Sequence, residues 1–207
     1  RPEFFYLFWG AIKAGIVPVP VNTLLRAADY RFLIEDSGCA VVVYFPDIAA
    51  EVDEALAAAG RRPDHALPTD GAGSILARME DAPAALDPAP ATATNECFWL
   101  YTSGSTGNPK ATVHRHRDMV TTSQHYAHAT LGVGEHDTVF SAGKLFFSYG
   151  FGNSMTFPLW PGATTVLNDQ RATVDMTFET IEKFRPTVYF GVPTLYAQQL
   201  NAMDERM

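Results

Sequence analysis

The sequence predicts an α/β fold of stacked, mostly parallel sheets with helices. Two patterns carry that prediction. Short apolar runs at 40–45, 138–141, 163–167 and 187–192 read as strands, and longer helical patterns fall between them. The chain has 207 residues, 47% hydrophobic and 18% charged, enough for one sizeable core or two small lobes.

Taken in order, 4–14 crowd Phe4, Phe5, Leu7, Phe8, Trp9 and Ile12 onto one short helix, expected to be buried on several faces, with Gly15 as its stop. The run 16–22 alternates Pro18 and Pro20 with Val17, Val19 and Val21. It reads as a strand at a sheet edge, because proline cannot donate to a central ladder. Residues 27–37 have helical spacing, with Tyr30, Leu33 and Ile34 on one face and Gly38 after them. The β-branched run 40–45 reads as a buried strand, and 47–59 as an alanine-rich helix closed by Gly60. From 60 to 95 the composition turns to Pro, Ala, Asp and Gly, so this stretch is expected to connect, with a helical turn or two only at 74–80. Two portions follow: 1–95, and 96–207 with the remaining motifs. Within the second, 97–100 is a buried strand and a helix is expected from about Asp118 to Leu131. A helix follows at 155–159, stopped by Pro161-Gly162, and another at 175–184 with Phe178, Ile181 and Phe184 on its face and Pro186 as its stop. The last begins at Pro193 with Leu195, Tyr196 and Leu200.

Between the strand 97–100 and the helix after it lies Tyr101-Thr102-Ser103-Gly104-Ser105-Thr106-Gly107-Asn108-Pro109-Lys110-Ala111. Gly104 and Gly107 permit a tight turn and close approach to a ligand. Exposed N–H groups in such a loop form an anion-binding nest. The hydroxyls of Thr102, Ser103, Ser105 and Thr106 add uncharged donors, and Lys110 adds a mobile positive charge. A nucleotide phosphate chain is the ligand that suits this set. The spacing excludes two look-alikes. The NTPase loop needs glycine directly before lysine, whereas Asn108 and Pro109 intervene here. A nucleophile elbow needs glycine two residues before the serine, where Ser105 has Ser103.

The whole string resembles the phosphate-loop signature Y-T-S-G-[ST]-T-G-x-P-K-G of the acyl-adenylate-forming superfamily of acyl- and aryl-CoA ligases and adenylation domains. It departs only at Ala111, where the pattern has glycine. Upstream, F-x-G-A-I-K-A-G-I-V-P-V-P-V-N is similar to a run the family carries. Downstream, Lys144-Leu145-Phe146-Phe147-Ser148-Tyr149-Gly150-Phe151-Gly152-Asn153 resembles the acyl-pocket motif of the benzoate-CoA ligase branch, and Gly191-Val192-Pro193-Thr194-Leu195-Tyr196 matches a run whose strand end borders that pocket. The resemblance implies an N-terminal adenylation lobe, incomplete here, with the C-terminal lobe and its catalytic lysine outside the chain. It implies ATP with Mg²⁺, coenzyme A as co-substrate, and an aromatic carboxylic acid activated as an acyl-adenylate. The phosphates fall to Thr102, Ser103, Gly104, Ser105, Thr106, Gly107 and Lys110, and the aryl group to Ser148, Tyr149, Gly150 and Gly191. No catalytic residue and no metal ligand is expected inside the chain. For Gly191 and Val192, pocket lining and plain strand packing stay equally open. The branch usually has Ala at Ser148; a hydroxyl there suits a hydroxy- or aminobenzoate.

Several other readings are weighed against this one. The formal net charge of −8 argues against a nucleic-acid surface. Phe4–Ile12 is too short to span a bilayer, and Cys39 and Cys97 read as buried thiols in a cytoplasmic protein. The triplet His116-Arg117-Asp118 lacks the asparagine of a kinase catalytic loop, since 123 is Ser, and the basic stretch 114–117 reads as a solvated helix entrance. Gly150 and Gly152 begin a dinucleotide fingerprint that Met155 breaks. His125 and His128 share a spacing but lack the further ligands zinc needs. The chain opens Arg1-Pro2 without Met and is read as an internal piece of a longer protein, inactive or nearly so alone; a homo-oligomer is compatible with it. Another acyl-CoA ligase or adenylation domain, and a non-catalytic nucleotide-binding module, are the competing assignments.

Overall fold

A computed structural model describes residues 2–102 and 107–204. Pro2–Gly15 with Asn22–Ala89 form one compact unit, and Ile16–Val21 with the residues from Pro90 onward form the other.

The first unit carries α1 (Glu3–Lys13), α2 (Ala27–Ser37), β1 (Val41–Tyr44), α3 (Ala49–Ala58), β2 (His65–Pro68) and α4 (Ile75–Glu80). Gly15 follows α1 at φ +76° and Gly38 follows α2 at φ +58°, the left-handed conformation that ends helices at glycine. The backbone N–H of Arg26 donates to Asp29 at 3.1 Å, which caps α2. Tyr30, Leu33 and Ile34 are buried on one face of α2, as their spacing predicts, and α3 buries Val52 and Ala55. α1 buries only Phe8 among its aromatics and leaves Tyr6 exposed, so its apolar faces are less enclosed than expected. β1 pairs in parallel with β2, from Val41 opposite His65 to Tyr44 opposite Pro68. β2 lies in the stretch expected to be a plain connection. Its four residues lack β-branched side chains and end in proline, so only the pairing with β1 makes it a strand. β1 in turn is half-buried rather than buried, with Val41 45% exposed.

The second unit carries β3 (Glu96–Thr102), β4 (Lys110–Arg115), α5 (His116–Thr122), β5 (Thr138–Ser141), α6 (Ser148–Phe151), α7 (Phe157–Leu159), β6 (Thr164–Val166), α8 (Val174–Phe184), β7 (Val188–Phe190) and α9 (Pro193–Asp204). β6, β5 and β7 form a parallel sheet in that order. Phe140, Val166 and Met176 make its core, with Ile181 and Tyr189 packed against them. β3 and β4 are antiparallel. The fold is therefore α/β, with two parallel sheets and one antiparallel hairpin among the described residues.

Three local expectations change. Residues 16–22 form no strand; the Pro18 carbonyl joins the hairpin, accepting from the Trp99 N–H at 3.1 Å. Two prolines in the run leave too few donors for a ladder. α8 turns Met176, Thr177 and Thr180 inward and leaves Phe184 exposed, so its buried face is rotated from the Phe178–Ile181–Phe184 row. Finally, α5 and α6 each run into a turn of π-helix, Ser123–His128 and Gly152–Thr156. The Ser123 hydroxyl donates to the Thr156 carbonyl at 3.1 Å, satisfying a group in the wider helix and tying the two segments together.

Candidate active site

The residue before the loop, Thr102, and the lysine after it, Lys110, pair as ends of antiparallel β3 and β4, so a strand rather than a helix follows Pro109. Register places Lys110 opposite Thr102, Ala111 opposite Tyr101 and Leu100 opposite Thr112. Lys110-Ala111-Thr112-Val113-His114-Arg115 extends because Pro109 and its β-branched residues favour strand. The hairpin thus pins both ends of the loop, with one hydroxyl and the lysine side by side. Gly107 adopts φ +102°, and a Cβ there would meet nothing within 4 Å, so backbone conformation rather than space calls for glycine. Ser103, Gly104, Ser105 and Thr106 lie outside the described residues.

The same strand builds a second feature. Phe98, Leu100 and Thr102 alternate along β3 and share a face. Phe98 and Leu100 form one wall of a cavity of about 140 Å³. α5 contributes Asp118, Met119 and Thr122 to it, and Ser148, Phe151 and Phe157 close it from α6 and α7. Phe98 packs on Phe151 with ring centroids 5.0 Å apart. On its other side Phe98 stacks on His114, its partner across the hairpin, at 4.6 Å and 9°. His114 Nδ1 lies 3.7 Å from Asp118 Oδ2. That carboxylate also accepts the Arg115 backbone N–H at 2.9 Å, capping α5. Cys97, next along β3, is buried; burial first and the Asp118 charge second push its thiol up to about 11.

The predicted aryl residues divide between two faces of α6. Ser148 lines the cavity. Tyr149 instead donates its hydroxyl to the Gly191 carbonyl at 2.8 Å, at the C-terminal end of β7. The Gly191 N–H donates to the Tyr196 hydroxyl at 2.7 Å, so two tyrosines hold the backbone on either side of one Cα. A Cβ on Gly191 would stand 2.8 Å from the Tyr196 ring and 2.9 Å from the Tyr189 hydroxyl. Gly150 is packed still more closely: a Cβ there would lie 2.1 Å from the Lys144 carbonyl oxygen. The structure therefore joins Tyr149 to Gly191, directs Ser148 to the ring-lined cavity, and uses Gly150 for backbone contact. Burial raises the Tyr149 and Tyr189 hydroxyls above their ordinary range, keeping both neutral donors. Lys144 reaches from this motif to the carbonyls of Asn168, at 2.7 Å, and Gln170, and burial lowers its ammonium below the ordinary lysine range.

Sequence reasoning missed His114 and Asp118, read as a solvated helix entrance, and the role of Tyr196. The alternation of 110–115 and an Asp three residues after Arg115 were the available signals. His125 and His128 are exposed; His128 Nδ1 lies 3.2 Å from the Val133 carbonyl. No group of three or more His, Cys, Asp or Glu stands together among the described residues. Both cysteines are free, with Cys39 half-buried rather than buried. No described helix is long and apolar enough to cross a membrane.

The chain is similar to known proteins over nearly its whole length. A benzoate–CoA ligase of Thauera aromatica is 43% identical over 206 residues, covering 98% of this chain and 38% of its own length. A 4-hydroxybenzoate–CoA/benzoate–CoA ligase of Rhodopseudomonas palustris is 42% identical, covering 96% of this chain and 37% of its own length. The crystal structure of a benzoate CoA ligase from Burkholderia xenovorans LB400 superposes with a TM-score of 0.86 at 40% identity, over 96% of this chain and 39% of that one. This chain thus spans somewhat over a third of the length of the relatives it matches. The AMP-binding enzyme family matches residues 1–207, and the chain belongs to that family.

Proposed function

We propose that this chain is the phosphate- and aryl-binding part of an ATP-dependent aryl acid–CoA ligase acting on benzoate or a substituted benzoate. The observation that carries the reading is a ring-sized cavity on the strand that ends at the phosphate loop. A cavity of about 150 Å³ lined by apolar side chains holds one benzene, and this one measures about 140 Å³. Leu100, in its wall, precedes Thr102 by two residues, about 7 Å of strand. A ring held there has its carboxylate within reach of the phosphates.

The chemistry is a two-step exchange. The acid's carboxylate attacks the α-phosphorus of ATP and displaces pyrophosphate, giving the acyl-adenylate. The thiol of coenzyme A then attacks the acyl carbon and AMP leaves. The carboxylate is already nucleophilic, so the protein's work in the first step is alignment and charge neutralisation. Lys110 and the hydroxyls and glycines of 102–107 receive the β- and γ-phosphates. Magnesium bound with a nucleotide keeps phosphate oxygens and waters as its main ligands, which suits a loop whose side chains are hydroxyls. Ser148 borders the ring; Tyr149, gripping Gly191, and Gly150, against the Lys144 backbone, hold α6 in its position. The free thiols of Cys39 and Cys97 suit a cytoplasmic setting.

The test is acid-dependent ATP–pyrophosphate exchange by the full-length protein that carries this chain, with benzoate, hydroxybenzoates, acetate and a medium-chain fatty acid compared. Exchange driven by an aryl acid supports the reading. Exchange with aliphatic acids alone keeps adenylation and removes the aryl pocket. No exchange with any acid leaves a non-catalytic nucleotide-binding module. Ser148→Ala then tests the pocket hydroxyl: an unchanged preference between benzoate and 4-hydroxybenzoate removes Ser148 from ring recognition.

A further inference from the structure

The cavity has a polar wall that the basic stretch 114–118 gave no sign of. We propose that His114 and Asp118 form a recognition pair for a hydroxyl or amino group on the aromatic ring, making the favoured substrates phenolic or amino-substituted benzoates. The inference rests on the assignment of this cavity to the aryl ring. Five observations carry it. His114 and Asp118 both line the cavity, as does Ser148. Their side chains are only 30% and 34% exposed, so each faces the cavity with limited access to water. The stack on Phe98 fixes the imidazole plane, and the 3.7 Å contact with Asp118 fixes its rotation. His114 Nε2 has no hydrogen-bond partner among the described residues. One acceptor site of the Asp118 carboxylate is filled by the Arg115 N–H and Arg117 Nε stands 4.0 Å from its other oxygen; a carboxylate offers about four sites, so acceptor capacity is left for a ring substituent.

A ring the size of the cavity displaces water from this pair. An unsubstituted ring returns no hydrogen bond in exchange, whereas a phenolic O–H or aniline N–H donates to the carboxylate and a phenolic oxygen accepts from imidazole N–H. The Asp118 charge also repels the substrate's own carboxylate, which turns it toward the Lys110 end of β3. Deeply buried sites that hydrogen-bond a substrate hydroxyl reject the analogue lacking it by factors of about 10⁴ or more. This pair is partly open to solvent, so water offsets much of that loss and the expected discrimination is about tenfold.

The experiment measures kcat/KM for ATP–pyrophosphate exchange in the full-length protein with benzoate and the isomeric hydroxy- and aminobenzoates. Two variants are compared with the parent. His114→Phe keeps the stack on Phe98 and removes the polar edge; Asp118→Asn keeps an acceptor for the α5 cap and removes the charge. The expected result is that the kcat/KM ratio of the best hydroxy- or aminobenzoate to benzoate falls about tenfold in His114→Phe and also falls in Asp118→Asn. Ratios within twofold of the parent in both variants overturn the proposal, as does an equal loss for every acid, which marks a structural role. If one variant does not fold, the ratio in the other decides. A parent that exchanges with no aryl acid overturns the aryl assignment itself, a result distinct from an unmoved ratio.

Discussion

Gly150→Ala sets two effects against each other, and the structure determines which wins. Alanine is favoured over glycine inside a helix by about 1 kcal/mol. Against that, the new Cβ would lie 2.1 Å from the Lys144 carbonyl oxygen and 2.5 Å from the Gly143 carbonyl carbon and oxygen, all backbone atoms. α6 has to retreat by about 1.4 Å to reach ordinary contact. The opposing segment does not yield easily, because Lys144 Nζ is tied to the Asn168 and Gln170 carbonyls. Overpacking of this kind costs about 1–3 kcal/mol. With backbone on both sides the upper end applies, and the net is a loss of about 2 kcal/mol, or about 4–8 °C in Tm. Gly10→Ala is the internal control. Gly10 lies exposed in α1, and a Cβ there meets nothing within 4 Å. It should stabilise by up to about 1 kcal/mol. Calorimetric melts and urea unfolding of the two variants should therefore move in opposite directions. A Gly150→Ala protein as stable as the parent, or both variants moving together, refutes the reasoning. The retreat of α6 also displaces Ser148 and Tyr149, so acid-dependent exchange in the full-length protein should fall with Gly150→Ala and not with Gly10→Ala.

Three further outcomes follow from the same geometry. Tyr196→Phe removes the acceptor of the Gly191 N–H and should cost about 1 kcal/mol, while Gly191→Ala, which drives a Cβ into the Tyr196 ring, should cost more; the reverse order of urea midpoints would count against the close packing of Tyr196 on Gly191. The Asp137 carboxyl is held below its usual range first by the Thr187 hydroxyl at 2.6 Å, then by the Gly134 N–H at 2.8 Å. A depressed folded pKa gives stability that is present above the unfolded value and lost as pH falls through the folded one. Thr187→Val should raise the Asp137 pKa in an NMR titration and lower stability at neutral pH, with the gap to the parent narrowing in acid but not closing, because Thr187 Oγ1 also accepts the Thr138 N–H at 3.0 Å; an unmoved titration contradicts the assignment. Native-state alkylation at pH 8 should label half-buried Cys39 and spare Cys97, whose thiol is buried and pushed up to about 11. Equal labelling by mass spectrometry would mean that β3 opens readily.

How much of this was legible beforehand depends on where each signal resides. α2 and its stop at Gly38 match the reading residue for residue, because the periodic face and the left-handed glycine lie within a few positions of one another. β5 at Thr138–Ser141 was equally plain. Composition and spacing singled out the glycine- and hydroxyl-rich loop, and the residues at its ends, Thr102 and Lys110, lie paired. β2 was not legible, since His65–Pro68 is a strand only beside β1. β4 was obscured by its charged end, which suggested the entrance to a helix.

The sequence by itself determined the alternation of strands and helices, the helix ends and the phosphate-loop motif, all encoded in short-range sterics and hydrogen bonding. The tertiary structure decided that a strand paired with β3 follows Pro109, that Ser148 and Tyr149 serve different sides of α6, and that His114 and Asp118 share a cavity with Ser148. Those outcomes depend on contacts between residues far apart in the chain. Their free energy belongs to both partners at once, and no local pattern in either partner carries it.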